Sequence, residues 1–491
     1  MVAEVSKNFY LDYDLFLQGR GSMKWVKERK VEIHLAIALL AGLLLWFWPR
    51  PQEVSIQGWH LFAIFVATMI GIILKPYPMG VIVVASLTFS VLTQTLSFND
   101  AFSGFSNEIV WLVVFAFFVA RGFISTGLGN RVAYRVMSVL GKNSLGLGYG
   151  LVATDLLLAP TIPSVTARSG GIVYPIVKAL AEVFTGKSHD PKMGGFLTMT
   201  AFQGSAITSA MFLTSMAGNP LIAELARSQG IEISWASWAV AALVPGLLSL
   251  LVVPYLIYKV VPPTIRQTPH AREMAIEKLA HMGPMKPKEW VMLGTFLLML
   301  SLWIAGPYIG VKATVGAMIG LTVLLLTGIL RWKEILEEQG AWDTFIWFAT
   351  LVTLANYLNK FGMASWFSSL VVGNVQGMNW TVGFLIVALI YFYSHYFFAS
   401  NVAHIGAMYA PLLIVAIALG TPPELAALIL AFFSNLFGGL THYGSGPAPI
   451  LFGTGYTTVG EWWKIGWIAS VANIVIWMVV GGLWWKLLGL W

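Results

Sequence analysis

Long apolar runs recur along almost the whole chain, and they constrain the fold more than any other feature. A helix needs about 20 apolar residues to cross the hydrocarbon core of a bilayer. The runs are 33–49, 57–75, 78–96, 108–128, 193–223, 235–261, 290–308, 312–330, 343–361, 423–456 and 464–488. Only 10% of the 491 residues are charged, whereas a soluble domain carries about 25%. The sequence therefore predicts an all-α polytopic membrane protein with about eleven transmembrane helices in a lipid bilayer.

Lys and Arg are concentrated in alternate connections between these runs. The N-terminal segment is basic, and later clusters lie at 131–142, 187–192, 266–288 and 331–333. By the positive-inside rule these segments face the cytoplasm. This predicts a protein of the plasma membrane with a cytoplasmic N-terminus and a C-terminus outside. The topology also explains the net charge of +7, so nucleic acid is not an expected partner.

Two short polar segments interrupt the apolar pattern at equivalent places. Residues 163–171 read PSVTARSGG and residues 400–406 read SNVAHIG. Basic residues flank the first segment on both sides, which predicts a re-entrant hairpin over 144–184 that enters from the cytoplasm. The second segment lies in a long stretch without Lys or Arg, which predicts a hairpin over 380–420 that enters from outside. The two hairpins therefore form an inverted repeat.

Two of the apolar runs are too long for one straight helix. Each contains a Gly- and Pro-bearing interruption, TSMAGNP at 214–220 and THYGSGP at 441–447. Inside lipid, such breaks occur only where they line a cavity or are covered by protein. Two broken helices and two opposed hairpins in an inverted repeat are typical of a secondary transporter.

The polar residues of the hairpin tips suggest an anion site. Ser164, Thr166, Ser400 and Asn401 offer short donors for carboxylate oxygens, and half-helix dipoles add positive potential. An arginine near the middle of a membrane is by default a functional hypothesis, although Arg168 could also be a structural clip that bonds hairpin carbonyls.

The second hairpin carries His404 at the position equivalent to Arg168, which suggests a second positive or proton-sensitive group. A lone histidine is more often a packing residue. Asp155 could pair with an arginine inside the first hairpin, and the sequence leaves a structural and a transport role equally open.

Taken together, these motifs resemble those of the divalent-anion/sodium symporter (DASS) family of di- and tricarboxylate transporters. Its Ser-Asn-Thr motifs at two opposed hairpin tips are similar to residues 163–171 and 400–404 here, and the resemblance extends from about residue 33 onward. It implies a homodimer that moves di- or tricarboxylate substrates by an elevator-type mechanism. It implies substrate-binding residues Ser164, Val165, Thr166, Arg168, Ser215, Gly218, Asn219, Ser400, Asn401, Val402, His404, Ser445, Gly446 and Pro447.

The resemblance also implies a division of the chain into scaffold and transport domains. The segments are a cytoplasmic tail at 1–32, scaffold at 33–142, transport domain at 143–262, a connector with scaffold at 263–362, and transport domain at 363–491.

Val165 and Val402 stand where the family has Asn and Thr, so oxygen ligands for sodium are missing. The fixed charge of Arg168 and a charge on His404 would repel sodium while attracting a dianion. The sequence is therefore similar to the exchanger branch of the family, which exchanges anions such as 2-oxoglutarate, malate, succinate, citrate or tartrate. The Arg168→Ala variant is expected to lose exchange sharply and to stay folded.

Three alternatives stand beside an exchanger. A sodium-coupled di- or tricarboxylate symporter could use the remaining oxygens, and a channel would pass current beyond exchange rates. An enzyme is not expected, because the sequence has no His-Glu-x-x-His motif and Ser445 has no evident base. No metal or other cofactor is expected.

Overall fold

The computed structural model describes residues 21–185, 191–375 and 379–491. Its helices, in chain order, are α1 Gly21–Phe47, α2 Ile56–Leu74, α3 Met79–Leu92, α4 Phe98–Ala101, α5 Glu108–Thr126, α6 Leu128–Leu140, α7 Ser144–Leu158, α8 Val165–Arg168, α9 Tyr174–Thr185, α10 Pro191–Met211, α11 Gly218–Arg227, α12 Trp235–Val260, α13 Pro269–Met282, α14 Pro287–Ile309, α15 Ala313–Leu326, α16 Trp332–Leu336, α17 Gln339–Lys360, α18 Met363–Val375, α19 Trp380–Tyr393, α20 Asn401–His404, α21 Ala410–Ala418, α22 Pro423–Leu436, α23 Pro447–Phe452, α24 Val459–Val475 and α25 Gly482–Leu487.

The prediction of an all-helical membrane protein is confirmed. In the described part of the chain, eight helices are long and apolar enough to cross a membrane, and four shorter helices are also apolar. Helix ends agree with the apolar runs within a few residues, as in α5, which begins after its cap Asn107 and ends at Gly127 with φ 79°. The number of crossings and the two re-entrant hairpins stay predictions, because the length and composition of a helix do not show how far it extends into the bilayer.

The predicted tail at 1–32 differs from the structure in one respect. Residues 1–20 lie outside the described residues, while 21–32 are the first turns of α1 and run straight into the first apolar span. Charged residues such as Lys30 and Glu32 do not stop a helix, because they have high helix propensity. The boundary at residue 32 is therefore not a break in secondary structure.

The chain divides into two compact units. The first contains Met1–Ser103 and Thr353–Trp366, and the second contains Gly104–Val352 and Phe367–Trp491. In the first unit Val54, Trp59 and Met363 form a buried apolar cluster. There the Tyr357 hydroxyl donates to the Asp100 carboxylate and holds the pKa of that carboxyl below its usual range.

The core of the second unit is built around α10 and α22. Side chains are buried from Met193 to Met211 in α10 and from Leu425 to Leu436 in α22. A helix that is apolar on all sides is stable only when other elements surround it. These two central helices are the ones that lead into the interruptions.

Both long runs are broken where the interruptions were predicted. The first break separates the end of α10 at Met211 from the start of α11 at Gly218. The second lies between α22 and α23, which begins at Pro447 after a 3₁₀ turn over Phe437–Gly439. Proline has no backbone N–H, so it suits the first turn of a new helix, where that donor would be unpaired.

The two polar segments have the same local structure. Ser164 accepts from the Ala167 N–H at 3.1 Å, and Ser400 accepts from the Ala403 N–H at 3.4 Å. Each serine therefore caps one short α-turn, α8 or α20, and each turn continues through a π-turn into the following helix. The repeat seen in the sequence is thus a repeat of backbone conformation.

Two helices, the amphipathic α6 and the polar α13, lie outside the predicted runs because charged residues interrupt their apolar pattern. Arg131 of α6 donates from Nε to Glu289 Oε1 at 2.6 Å and from Nη2 to Glu289 Oε2 at 3.1 Å. This bidentate arrangement fixes α6 against the start of α14.

The orientation can be tested by labelling cysteines, since the natural chain contains none. Lys278 and Glu232 are both exposed, the first in α13 and the second in the connection before α12. We expect a membrane-impermeant maleimide to label Glu232→Cys in intact cells and to label Lys278→Cys only after permeabilisation. The cysteine-free parent is the control, and the reverse labelling pattern would overturn the predicted orientation.

Candidate functional site

One cavity of about 170 Å³ lies where the two polar segments and the two breaks meet. Its volume corresponds to several water molecules, at about 30 Å³ each. The lining residues are Phe117, Pro163, Ser164, Val165, Thr166, Phe202, Ser205, Ala206, Ser209, Met216, Ala217, Ser400, Asn401, Val402, Asn435, Gly438, Ser445, Gly446 and Pro447. None of these described lining residues carries a charge, so polar contacts to a ligand come from hydroxyl, amide and backbone groups.

The structure brings most of the predicted site residues together. The lining includes Ser164, Val165, Thr166, Ser400, Asn401, Val402, Ser445, Gly446 and Pro447. Five predicted residues lie outside the lining, and they are Arg168, His404, Ser215, Gly218 and Asn219. Arg168, Ser215 and Asn219 bond backbone oxygens around the cavity directly, and His404 does so through His395.

Arg168 is completely buried and pairs with Asp155. Its Nε lies 3.1 Å from Asp155 Oδ1, and its Nη2 donates to Ser209 Oγ at 3.0 Å. Its Nη1 donates to two backbone oxygens, those of Ile162 and Ser215. The guanidinium thus joins the first polar segment to the first break, and Asp155 balances its charge.

The second oxygen of Asp155 is also occupied. Thr208 donates from Oγ1 to Asp155 Oδ2, so α7 and α10 share this buried network. A buried charge pair is favourable only when its remaining hydrogen-bonding groups are satisfied. Here Asp155 and Arg168 both meet that condition, which explains how two charged groups are stable in an apolar core.

His404 belongs to a chain of hydrogen bonds that ends on the second break. His395 Nε2 lies 3.0 Å from the Gly444 oxygen, and the Nδ1 atoms of His395 and His404 are 3.0 Å apart. A carbonyl oxygen only accepts, so Nε2 of His395 carries a proton. One Nδ1 must then donate to the other, and at most one of the two imidazoles can be doubly protonated. Ser394 Oγ, 3.1 Å from His404 Nε2, completes the chain.

The two halves therefore use their equivalent residues in the same way. Arg168 holds the oxygen of Ser215 in the first break, and His404 acts through His395 on the oxygen of Gly444 in the second. Backbone oxygens released by a broken helix need partners when no water reaches them. In both halves the titratable or charged side chain lies behind the cavity wall.

The two breaks are also joined directly. Asn435 of α22 donates from Nδ2 to Asn219 Oδ1 at 2.8 Å, and Asn219 donates from Nδ2 to the Ser209 oxygen at 2.8 Å. Gln203 of α10 donates to the Gly439 oxygen at 2.7 Å. These amides bridge the two central helices where their backbones are irregular.

Sequence reasoning missed several residues at this site. Phe117, Ser205, Ser209 and Asn435 line the cavity, but they lie in apolar runs away from the two motifs. Asn435 offered the best signal, since an amide in an apolar helix just before a break needs a partner. The other three are ordinary residues of a buried helix, and only the fold shows where they point.

Glycines allow two close contacts in the wall. A Cβ on Gly446 would lie 2.1 Å from Thr166 Oγ1, and a Cβ on Gly438 would lie 2.7 Å from Asn401 Nδ2. Both contacts are shorter than a normal Cβ contact, so a side chain at either position would displace Thr166 or Asn401. The two glycines thus allow the polar groups of the opposite segment to approach the breaks.

A metal site is not evident in the described parts of the chain. Among those residues no group of three or more His, Cys, Asp or Glu side chains could hold a metal ion.

Comparisons with known proteins agree with this architecture. The family described as the sodium:sulfate symporter transmembrane region matches residues 29–491. A putative malate transporter of Bacillus subtilis, YflS, is 54% identical over 463 residues, which cover 94% of this chain and 97% of that protein. The chloroplastic dicarboxylate transporter 1 of Arabidopsis thaliana is 52% identical over 465 residues, which cover 93% of this chain and 83% of that protein.

A solved structure shows the same fold at low identity. MtrF of Neisseria gonorrhoeae, from a class of antimetabolite efflux pumps, aligns with a TM-score of 0.55 and 14% identity, covering 92% of this chain and 94% of that chain. The apolar helices, the two broken helices and the named relatives together define a multi-pass membrane transporter. The chain belongs to the divalent-anion/sodium symporter (DASS) family, as its motifs indicated.

The buried ion pair predicts a loss of folding stability for Arg168→Ala. Removing the guanidinium leaves Asp155 charged and unpaired in an apolar interior, which destabilises a protein by about 3–5 kcal/mol. The double variant Arg168→Gln with Asp155→Asn should lose less than half as much folding stability, because it leaves no unpaired charge. Thermal unfolding in detergent measures both.

Arg121→Ala is the matched control for this substitution. Arg121 lies 3.6 Å from Glu338, with 40% of its side chain exposed, so its loss should change stability by about 0–1 kcal/mol. Equal melting temperatures for Arg168→Ala and Arg121→Ala would contradict the structural role of the Arg168–Asp155 pair.

Proposed function

We propose that this protein is a secondary active transporter of the plasma membrane that exchanges dicarboxylates without sodium. The main support is that residues with hydroxyl or amide groups from both polar segments line one cavity. In addition, relatives of the chain are named malate and dicarboxylate transporters. The substrate class includes 2-oxoglutarate, malate and succinate, with citrate and tartrate as further members. The relatives' names support transport rather than enzymatic turnover.

The arrangement suits a ligand with a carboxylate at each end. Ser164 and Thr166 contribute hydroxyl groups from the first segment, and Ser400 contributes one from the second. Ser164 and Ser400 accept from backbone N–H groups as caps, so each keeps its own O–H for a carboxylate oxygen. The backbone around Ser445, Gly446 and Pro447 would complete the site.

Two observations support independence from sodium. Val165 and Val402 line the cavity where the family pattern has Asn and Thr, so the wall lacks two oxygen ligands. Arg168 already donates to the Ile162 and Ser215 oxygens, which are groups that a bound cation would otherwise use. In this proposal Arg168, paired with Asp155, and His404, through His395, act from behind the wall by holding the backbone of the two breaks.

The remaining features of the proposal come from the family resemblance. The segments 33–142 and 263–362 would form a scaffold, and 143–262 with 363–491 would form a transport domain that moves as an elevator. The assembly would be a homodimer with a cytoplasmic N-terminus and its C-terminus outside. About eleven crossings and two opposed re-entrant hairpins would carry this mechanism.

Sodium-coupled symport is the second candidate, because the matched family is described as a sodium:sulfate symporter region. Purified protein in proteoliposomes distinguishes the two. We expect uptake of labelled malate only when the vesicles contain dicarboxylate, and the same rate when choline replaces sodium outside. Uptake into vesicles without internal dicarboxylate, driven by a sodium gradient, would overturn the exchange proposal.

The Gly446 contact predicts a loss of affinity without a loss of fold. In Gly446→Ala the added Cβ would lie 2.1 Å from Thr166 Oγ1, so the Thr166 hydroxyl must leave its position at the cavity. Loss of one hydrogen bond to a charged ligand, worth about 1.5–3 kcal/mol, should raise the half-saturating malate concentration by about tenfold or more. Gly171→Ala is the matched control, since its Cβ would meet nothing within 4 Å. Equal exchange kinetics in the two variants would refute this prediction.

A further inference from the structure

Phe117 differs in origin from the other residues that line the cavity. It lies in α5, within the segment 33–142 that belongs to the proposed scaffold. All the other described lining residues lie in 163–217 or 400–447, within the proposed transport domain. One side of the cavity is therefore formed by a side chain from a different part of the chain than the polar groups.

Phe117 is also the largest of the described lining side chains that keeps exposed surface. It is partly exposed, whereas the ring of Phe202, the other aromatic residue of the lining, is completely buried and packs on Trp462 with ring centroids 4.6 Å apart. A phenyl ring has no N–H or O–H group and no acceptor atom. At Phe117 the wall therefore limits the space for a ligand without offering it a hydrogen bond.

Helices of the proposed scaffold hold this ring in place. A Cβ on Gly340, at the start of α17, would lie 3.4 Å from Phe117 Cε1, which is an ordinary contact distance. The helix α5 lies close to α14 and α15, since a Cβ on Gly122 would meet Met292 Sδ at 2.7 Å and Leu324 Cδ1 at 3.1 Å. The position of the ring is thus set by α5 and its neighbours and not by the two polar segments.

Side-chain donors for a ligand come from the two polar segments. Elsewhere in the lining, Ser205, Ser209 and Ser445 each donate to a backbone oxygen, at 2.8, 2.6 and 3.2 Å. Asn435 uses its amide hydrogens on Asn219 and on a backbone oxygen of its own helix. A hydroxyl has one proton, so these groups have none left for an anion. One set of donors in each segment suits two carboxylates, and the wall at Phe117 offers no third set.

We infer that Phe117 sets the rank order of anions within the proposed substrate class and favours dicarboxylates over tricarboxylates such as citrate. A tricarboxylate has a further carboxymethyl arm with its own negative charge. When two carboxylates occupy the polar segments, this arm faces the apolar part of a cavity of about 170 Å³. Against the ring of Phe117 it would lose water without gaining a partner. This inference rests on the proposed dicarboxylate exchange and names the residue that limits the ligand.

The first test uses wild-type protein in proteoliposomes that exchange labelled succinate at pH 8, where carboxyl groups are ionised. Unlabelled succinate competes in one series and tricarballylate, which is succinate with a carboxymethyl arm, in the other. We expect tricarballylate to compete at least about tenfold less well, which is the lower end of the discrimination that a pocket gives against one additional methylene group. Equal competition would overturn the inference, whereas failure to exchange any dicarboxylate would refute the proposed function itself.

Substitution of Phe117 tests the assignment to this residue. In Phe117→Ala we expect the disadvantage of tricarballylate to fall to about threefold or less, and in Phe117→Leu to an intermediate value, because each opens space beside the bound dicarboxylate. Melting temperatures in detergent show which variants fold, and Phe117→Leu provides the comparison if Phe117→Ala does not.

Phe115→Ala is the matched control. Phe115 is also a partly exposed residue of α5, but it packs on Trp111 with ring centroids 5.3 Å apart and does not line the cavity. This variant should keep the wild-type rank order. An unchanged disadvantage of tricarballylate in the folded Phe117 variants, or an equal change in Phe115→Ala, would overturn the inference.

A labelling experiment tests the position of Phe117 without measuring transport. The natural chain has no cysteine, so Phe117→Cys provides a single thiol for a small methanethiosulfonate reagent. Succinate at ten times its half-saturating concentration should slow the reaction about tenfold, because it leaves about one site in eleven free. Phe115→Cys should react at the same rate with and without succinate. A Phe117→Cys thiol that does not react, or that reacts equally fast with succinate present, would show that this side chain does not face the ligand and would overturn the inference.

Discussion

Unpaired backbone groups in the two broken helices are the constraint on which the site depends. A helix satisfies its own backbone, but a break releases carbonyl oxygens into an interior without water. The chain supplies partners for them from residues that are otherwise rare in apolar runs. Arg168 bonds the Ser215 oxygen, His395 bonds the Gly444 oxygen, and Gln203 bonds the Gly439 oxygen. Because these partners fix the breaks, the short polar groups at the cavity hold defined positions.

This constraint explains why the charged residues lie behind the wall. An arginine exposed to the cavity would carry a full charge, whereas the Arg168–Asp155 pair is neutral overall. The cavity wall that results is a set of neutral donors and acceptors, with a neutral pair behind it on one side and two imidazoles on the other. In the proposed function, recognition of an anion would therefore depend on the geometry of individual hydrogen bonds rather than on charge alone.

Much of this architecture could be predicted from the sequence, because a membrane imposes strong patterns on a chain. The length of the apolar runs gave the helices, and the Gly- and Pro-bearing interruptions gave both breaks. The repeat of Ser164 and Ser400 marked two equivalent polar segments, whereas their role as helix caps is seen only in the structure. The pairing of Asp155 with an arginine was anticipated as one alternative. The other partners, Ser209 of Arg168 and His395 of His404, could not be read in the same way, since they are set by tertiary packing. Asn435 was missed because one amide in an apolar run has no motif.

The Arg168–Asp155 pair has a consequence for how the chain enters a membrane. The two residues are 13 positions apart, on the consecutive helices α7 and α8. An arginine and an aspartate inserted separately would each face the full penalty of a charge in hydrocarbon. Because they lie so close in sequence, the segment from α7 to α8 carries its own counter-ion and can enter a bilayer as a neutral unit. Its insertion does not need to wait for synthesis of the second half of the protein.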